Sequence, residues 1–395
     1  MLGDFKQQII KDFPITMRKI YLNNGSIAPL SLSSIKSITD FLIKYSEQGP
    51  DSHDLSKYME NLLEETRLRI KHLINCNAIE VSFTQSTTQG LNLVANGIDW
   101  KKGDIIILRG GRHEHYANYF PWLYVAKRKK LKIKVLKIDP NGFFDIDELE
   151  KLAKLKKSKL VILSHVLYNN GSIMPVEEVG KIARENNLLY CIDSAQSVGS
   201  INVDIKRIGC DFMAFPSFKW ICGPLGIGIF YCNEKSKDAL IPDSIGGESG
   251  QIISNDSLVH NDIPQKFETG FRNYPALAGL ESSLRYILRI GMHKIMSINS
   301  KTSSILRNEL AKIDGIDIHG INDKNLRSSI VSFSSPKIES NLLKVKLEKE
   351  GIIMAERDLL NGKKIVRASP HFFNNEEEIM KTIRIIKNIY SKCNC

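Results

Sequence analysis

The sequence predicts an α/β protein built on a mainly parallel sheet, followed by a smaller α+β unit. Two observations carry this. From about residue 80, short β-rich runs alternate with segments of helical periodicity, the order in which a strand, a covering helix and the next parallel strand succeed one another. Beyond residue 313 the alternation gives way to short strands and two helices. At 395 residues the chain is too long for one small core, and 42% hydrophobic with 25% charged residues is a globular, not a disordered, composition.

The runs EVSFT, DIIILRG, IKVLKI, KLVILSHV, LLYCID, DFMAF and GIGIFYC read as strands because they are short and rich in β-branched and aromatic residues. Between them QGLNLVANGI, ANYFPWLYVAKRKK, DIDELEKLAKL and VEEVGKIARENN carry apolar residues at helical spacing. A long helical stretch over 275–313, interrupted at Gly291, leaves this block. After it IDIHGI, SSIVSFSS and KKIVRAS are strands, NLLKVKLEKE is a helix, and a last helix starts at Glu376. The organisation expected is an N-terminal helical segment 1–20, a large domain 21–275, a connecting helix 276–313 and a small C-terminal domain 314–395.

The first residues, MLGDFKQQIIKDFPITMRK, lack the unbroken apolar core of a signal peptide, and no later stretch is a membrane span, so a cytoplasmic protein without a membrane partner is expected. Seven cysteines stand at 76, 191, 210, 222, 232, 393 and 395 with no C-x-x-C spacing, which favours neither a disulfide framework nor a metal site. A net charge of +11 is spread along the chain, and the basic run KLAKLKKSK reads as the solvated face of a helix without interleaved aromatics. No nucleic-acid partner is expected.

The strongest chemical signal is Lys219, in the otherwise apolar stretch DFMAFPSFKWICGPLGIGIFY. A lysine confined there loses solvation and keeps more of the neutral amine that condenses with an aldehyde. Asp193 ends the apolar strand LLYCID, where open α/β sheets present ligand groups, although a helix N-cap reads equally well. Ser86, Thr87 and Thr88 lie between a strand and a helix, a place for a phosphate or only for capping. His115, in RHEHYANYFPW, occupies another strand-to-helix turn, where an imidazole can stack on a flat ring or move a proton. Arg367 ends a late strand and Arg357 precedes it by ten residues; a guanidinium fork suits an α-carboxylate, and a surface salt bridge is the competing reading.

In this order the segments resemble the class V aminotransferase family, which includes cysteine desulfurases, selenocysteine lyases and isopenicillin N epimerase. The likeness runs from YLNNGSIAPL at Tyr21 to NNEEEI at Ile379. It implies the aspartate-aminotransferase-like fold (fold type I) and the cofactor pyridoxal 5'-phosphate (PLP) in Schiff-base linkage to Lys219. EHYANYFPW resembles the desulfurase motif whose histidine stacks on the cofactor, which implies that role for His115. STTQ resembles the Gly-Thr-Thr-Glu phosphate segment, and Asp193 and Gln196 stand where the family holds the pyridine nitrogen and ring hydroxyl. Arg367 matches the substrate-carboxylate arginine, with Arg357 and Asn169 as further substrate candidates. KFETGFRNYPALAGL resembles the stretch that reaches the neighbouring cofactor, which implies a homodimer with shared sites.

Some residues depart from the pattern. Pro216, Ser217 and Phe218 replace the Ser-Gly-His before the lysine, and Phe271 replaces a threonine that crosses the dimer. Each lost charge-assisted hydrogen bond weakens phosphate binding by roughly 1.5 to 3 kcal/mol unless a neighbour such as Ser217 substitutes. No cysteine lies between 355 and 367, where a desulfurase of the most similar type carries its sulfur acceptor, and Tyr168 replaces an asparagine near the ring. The expectation is therefore an enzyme acting on an amino-acid substrate by transamination, epimerisation or β-elimination, with Lys219 moving the α-proton, and not a persulfide-forming desulfurase. Two rivals stand beside it: a desulfurase or selenocysteine lyase using a distant thiol such as Cys393 or Cys395, and a non-catalytic binding protein with this fold.

Overall fold

A computed structural model describes residues 2–254, 257–359 and 361–392. A two-residue strand β1 (Ile20–Tyr21) opens the chain, and seven strands then form the main sheet. They are β2 (Val81–Thr84), β3 (Ile105–Arg109), β4 (Lys132–Leu136), β5 (Ser158–Ser164), β6 (Leu189–Asp193), β7 (Phe212–Pro216) and β8 (Gly228–Cys232), in the order β2-β8-β7-β6-β5-β3-β4. Strands β4, β3, β5, β6 and β7 pair in parallel, and β8 runs antiparallel to both of its neighbours. All seven runs read from the sequence are strands of this one sheet.

Both faces of the sheet are covered, which is why its central strands are apolar at nearly every position. Ile105, Ile107, Val161, Leu163, Tyr190, Ile192, Met213 and Phe215 enter one core. The alternate residues Ile106, Leu108, Leu160, Ile162, Cys191, Phe212 and Ala214 enter the other. The period of two sends successive side chains to opposite faces.

Helix α1 (Leu2–Asp12) is followed by α2 (Leu32–Gln48) and α3 (His53–Ile74), ahead of the alternating block. Ser31 and Ser52 cap these two, accepting from the N–H groups of Ser34 and Leu55. The helices of the alternating block are α4 (Thr87–Gly97), α5 (Phe120–Lys129), α6 (Ile146–Ala153), α7 (Val176–Glu185) and the single turn α8 (Ile205–Ile208). An exposed hairpin of β9 (Gly250–Ser254) and β10 (Ser257–His260) follows. Helices α9 (Tyr274–Ile290) and α10 (Met292–Leu310) break at Gly291, whose φ of 84° lies where side chains are strained.

A second sheet joins β11 (Asp317–His319), β12 (Val331–Ser334), β14 (Ala355–Asp358) and β15 (Lys364–Ala368) in the order β11-β12-β15-β14, all antiparallel. Helices α11 (Ser340–Lys349) and α12 (Glu376–Ser391) pack on it around Phe333, Leu343, Ile379 and Ile383. Short β13 (Ile352–Ile353) pairs in parallel with β1, so the beginning of the chain is stitched to its C-terminal part. No helix among the described residues is long and apolar enough to cross a membrane.

Candidate active site

Five strands of the main sheet end at one cleft, and each delivers a polar residue there. The cleft is lined by Ser86, Thr87 and Thr88 after β2, His115 after β3, Ser164 and Tyr168 at and after β5, Asp193 and Gln196 at and after β6, and Lys219 after β7. This is the carboxyl edge of the sheet, where the strand order turns outward and a crevice forms. An adjoining outer cavity shares His115 and Tyr168 and adds Tyr116, Asn169, Arg357, Asp358 and Lys364.

Lys219 is half-buried in the cleft wall, and desolvation lowers its amine to about 8 although the Asp193 carboxylate pulls the other way. Burial raises Asp193 to about 6, opposed by the Ala195 N–H, which donates to Oδ1 at 2.9 Å, and by the Lys219 charge. The acid is thus held beside a cation in a dry place. That arrangement suits pairing with a protonated ring nitrogen.

Ser86 caps α4 by accepting from Gln89 N–H at 3.2 Å, which occupies its hydroxyl acceptor. The N–H groups of Thr87 and Thr88 fall in the first helical turn, where the helix supplies no acceptor, and both residues line the cleft, a setting that suits an anion. Gly228 makes this possible, because a Cβ there would stand 2.8 Å from Ser86 backbone atoms. Only a bare backbone lets β8 lie so close.

His115 opens onto the cleft, and its imidazole is lowered to about 4, first by desolvation and then by the charges of Lys219, Arg357 and Arg367. Its ring meets Tyr168 edge-on at 5.1 Å. Its loop is anchored by a buried pair that the sequence reading missed: Arg109 Nε donates to Glu114 Oε1 at 2.5 Å, and Ser164 Oγ donates to the other carboxylate oxygen. Ser164 lies 55 residues beyond Arg109, and no local pattern announces the link.

Gln196 is clamped at both ends, donating to Gly25 O at 2.8 Å and accepting from Trp220 Nε1 at 2.9 Å, which leaves one amide N–H for a ligand. Ser217 is not where the sequence reading put it. It is fully buried and its hydroxyl bonds the main-chain oxygens of Pro224 and Ile227, closing the turn behind the lysine, so it does not replace the missing phosphate donors. Asn169 is buried in the wall of the outer cavity, within 3.5 Å of Asp358 O, apart from the inner cleft.

Arg367 is fully buried, and burial and the Arg357 charge push it well below its ordinary value. Nη1 donates to Tyr168 O and Nη2 to Ser26 Oγ, while Nε has no hydrogen-bond partner. An incoming carboxylate would satisfy that atom and offset the charge. The inner cleft therefore fits a flat anionic aldehyde: a desolvated amine, a facing carboxylate, an imidazole and a helix N-terminus, with two guanidinium groups nearby. Cys76, Cys191, Cys210, Cys222 and Cys232 are buried free thiols outside the cleft lining, and Cys393 and Cys395 lie outside the described residues.

The family model of the class-V aminotransferases matches residues 20–385. A probable cysteine desulfurase of Methanothermobacter thermautotrophicus is 31% identical over 94% of this chain and 95% of its own. One of Pyrococcus abyssi is 31% identical over 97% of each. Among solved structures, the apo cysteine desulfurase of Thermococcus onnurineus NA1 superposes with a TM-score of 0.91 at 29% identity over 98% of both chains. The cystine C-S lyase C-DES, in complex with its reaction product cysteine persulfide, gives 0.86 at 25% identity over 95% of this chain and 99% of that one.

These relatives overturn the expectation that the chain is not a desulfurase. The missing cysteine between 355 and 367 and the tyrosine at 168 were the grounds for it. The cysteine-free segment borders the outer cavity, and Tyr168 lines both cavities. Neither alters Lys219, Asp193 or the start of α4 in the inner cleft.

Proposed function

The chain belongs to the class-V aminotransferase family, whose members are PLP-dependent enzymes, and from that premise we propose that it is a cysteine desulfurase, taking sulfur from L-cysteine and leaving L-alanine. The observation that supports this most is the convergence of Lys219, Asp193, His115 and the α4 N-terminus on one cleft, in a chain 31% identical over 94% of its length to a probable cysteine desulfurase.

In this reading Thr87 and Thr88 would offer backbone N–H groups to the cofactor phosphate, Asp193 would pair with its ring nitrogen, and His115 would flank its ring. PLP, when bound, supplies an electron sink for the negative charge left at the substrate α-carbon. Arg367 takes the substrate carboxylate and orients the α-hydrogen. The Lys219 amine, lowered to about 8, takes that proton and returns it to the carbon skeleton. His115, exposed at the mouth of the cleft and neutral, would be placed to relay the substrate thiol proton to solvent. The sulfur passes to an acceptor thiol as a persulfide, and the two electrons of the broken C–S bond stay with the skeleton that becomes alanine.

We further propose a homodimer with shared sites. Phe271 is 88% exposed, and the β9–β10 hairpin carries the cross-strand pair Ile252 and Leu258 at 78% and 57%, apolar surface that a second subunit would cover. The main sheet with its helices is read as the cofactor-binding domain and the antiparallel sheet as the smaller one.

The test is product analysis with PLP-loaded protein, L-cysteine and a dithiol. One alanine and one sulfide are expected per cysteine, with the dithiol oxidised to its disulfide. Pyruvate and ammonia in place of alanine would show that the carbon skeleton is handled otherwise, and the desulfurase reading would be abandoned.

A further inference from the structure

We propose that Ser26 is the positioning residue that yokes Arg357 and Arg367 into a single seat for the substrate carboxylate; this rests on reading the cleft as an amino-acid site.

Strand register supplies the first part. Ala355 pairs with Arg367 across β14 and β15, and Arg357 lies two residues further along β14. With a period of two, both arginines therefore project from the same face of the sheet. Two guanidinium groups side by side repel one another, and each is pushed below its ordinary value by burial, with the Arg357 charge adding to the effect on Arg367. Something must hold them together.

Ser26 does so with one oxygen. It accepts from Arg357 Nη2 at 2.5 Å and from Arg367 Nη2 at 2.8 Å, and its own proton goes to Asn23 Oδ1 at 2.6 Å. The hydroxyl is thus fully used, as donor once and acceptor twice. The remaining polar edges are fixed by main-chain oxygens, Arg357 Nη1 on Glu356 O and Arg367 Nη1 on Tyr168 O. Arg367 Nε alone stays buried and unpartnered.

The segment that carries Ser26 is itself pinned to the arginine strand. Asn24 Nδ2 donates to Ser369 O at 2.8 Å, Gly25 N–H donates to Ser369 Oγ at 2.9 Å, and Ser369 N–H donates to Leu22 O at 2.7 Å. Gly25 has no side chain where a Cβ would stand 3.2 Å from both Arg367 Nη2 and Gln196 Oε1. The first strand-and-turn of the chain thus acts as a template for residues more than 300 positions away. It also joins the carboxylate seat to Gln196 at the cofactor.

The experiment compares Ser26→Thr with Ser26→Val in PLP-loaded protein; the two replacements have nearly the same shape and differ by one hydroxyl. The probe is 3-mercaptopropionate, which has the carboxylate and thiol of cysteine but no amine, titrated calorimetrically beside L-cysteine kinetics. Ser26→Val is expected to weaken probe binding and raise KM for L-cysteine about 10-fold, with kcat within about twofold. Ser26→Thr is expected to restore both constants. Equal probe affinity in wild type and both variants overturns the proposal, as does a fall in kcat at constant KM, or no binding of the probe to wild type. If L-cysteine is not turned over but the probe still separates the two variants, the desulfurase reading falls and the role of Ser26 stands.

Discussion

Arg367 donates from Nη1 to the main-chain oxygen of Tyr168 across 2.7 Å, tying β15 of the small sheet to the segment that follows β5 of the large one. The guanidinium is therefore oriented before any substrate arrives. Replacing it with Arg367→Gln removes a charge-assisted pair and is expected to raise KM for L-cysteine about 10- to 150-fold, corresponding to about 1.5 to 3 kcal/mol. Steady-state kinetics on the PLP-loaded variant checks this, and an unchanged KM would move the carboxylate site elsewhere.

The amine of Lys219, lowered to about 8, reacts only when neutral. Below that pH most of the amine is protonated, so the rate of PLP uptake should rise about tenfold per unit and level off above it. Visible absorbance followed after mixing, from about pH 6 to 10, gives the midpoint. Lys219→Ala should give no adduct that borohydride can fix.

Asp193 presents the opposite balance. Its carboxyl is raised to about 6 from an ordinary 3.8, so above pH 6 the cofactor-free fold carries the cost of an ionised buried acid that the unfolded chain does not. Stability should fall as pH rises through this window. Asp193→Asn removes the cost, and its cofactor-free form is expected to melt higher than wild type near neutral pH, the gap closing as pH falls below 6, while turnover drops at least 100-fold. Calorimetry across the pH range and a single activity assay test the two halves.

His115 should stay neutral through the physiological range, since its imidazole is lowered to about 4. Its proton resonances in the cofactor-free protein are expected to show no titration between about pH 5.5 and 8. A midpoint near the ordinary histidine value would mean that the ring is solvated in solution.

At Gly228 a methyl group would meet the Ser86 backbone at 2.8 Å, forcing the start of α4 away from β8. Gly228→Ala is expected to weaken PLP affinity about 10-fold through displaced phosphate donors. Equilibrium titration with PLP measures it.

The strands of the main sheet, the break at Gly291 and most of the residues that come together at the cleft were legible in the sequence. Each of these is local: a β-branched run, a glycine between two helical patterns, a lysine in an apolar stretch, an aspartate at a strand end. Strand β14, with the sequence AERD, escaped that reading because it pairs with β15 on one side only and keeps a polar pattern. The missing cysteine between 355 and 367 misled, because one short segment was weighed above a likeness that runs over nearly the whole chain.

Which polar atoms are already engaged could be read only after folding had brought distant segments together. Ser217 spends its hydroxyl on Pro224 and Ile227, Glu114 meets Arg109 and Ser164, and Ser26 takes up two arginines from the far end of the chain. Spacing along the chain records what a residue can do, but a hydrogen bond is used up by whichever partner folding brings within about 3 Å, and that partner is often hundreds of residues away.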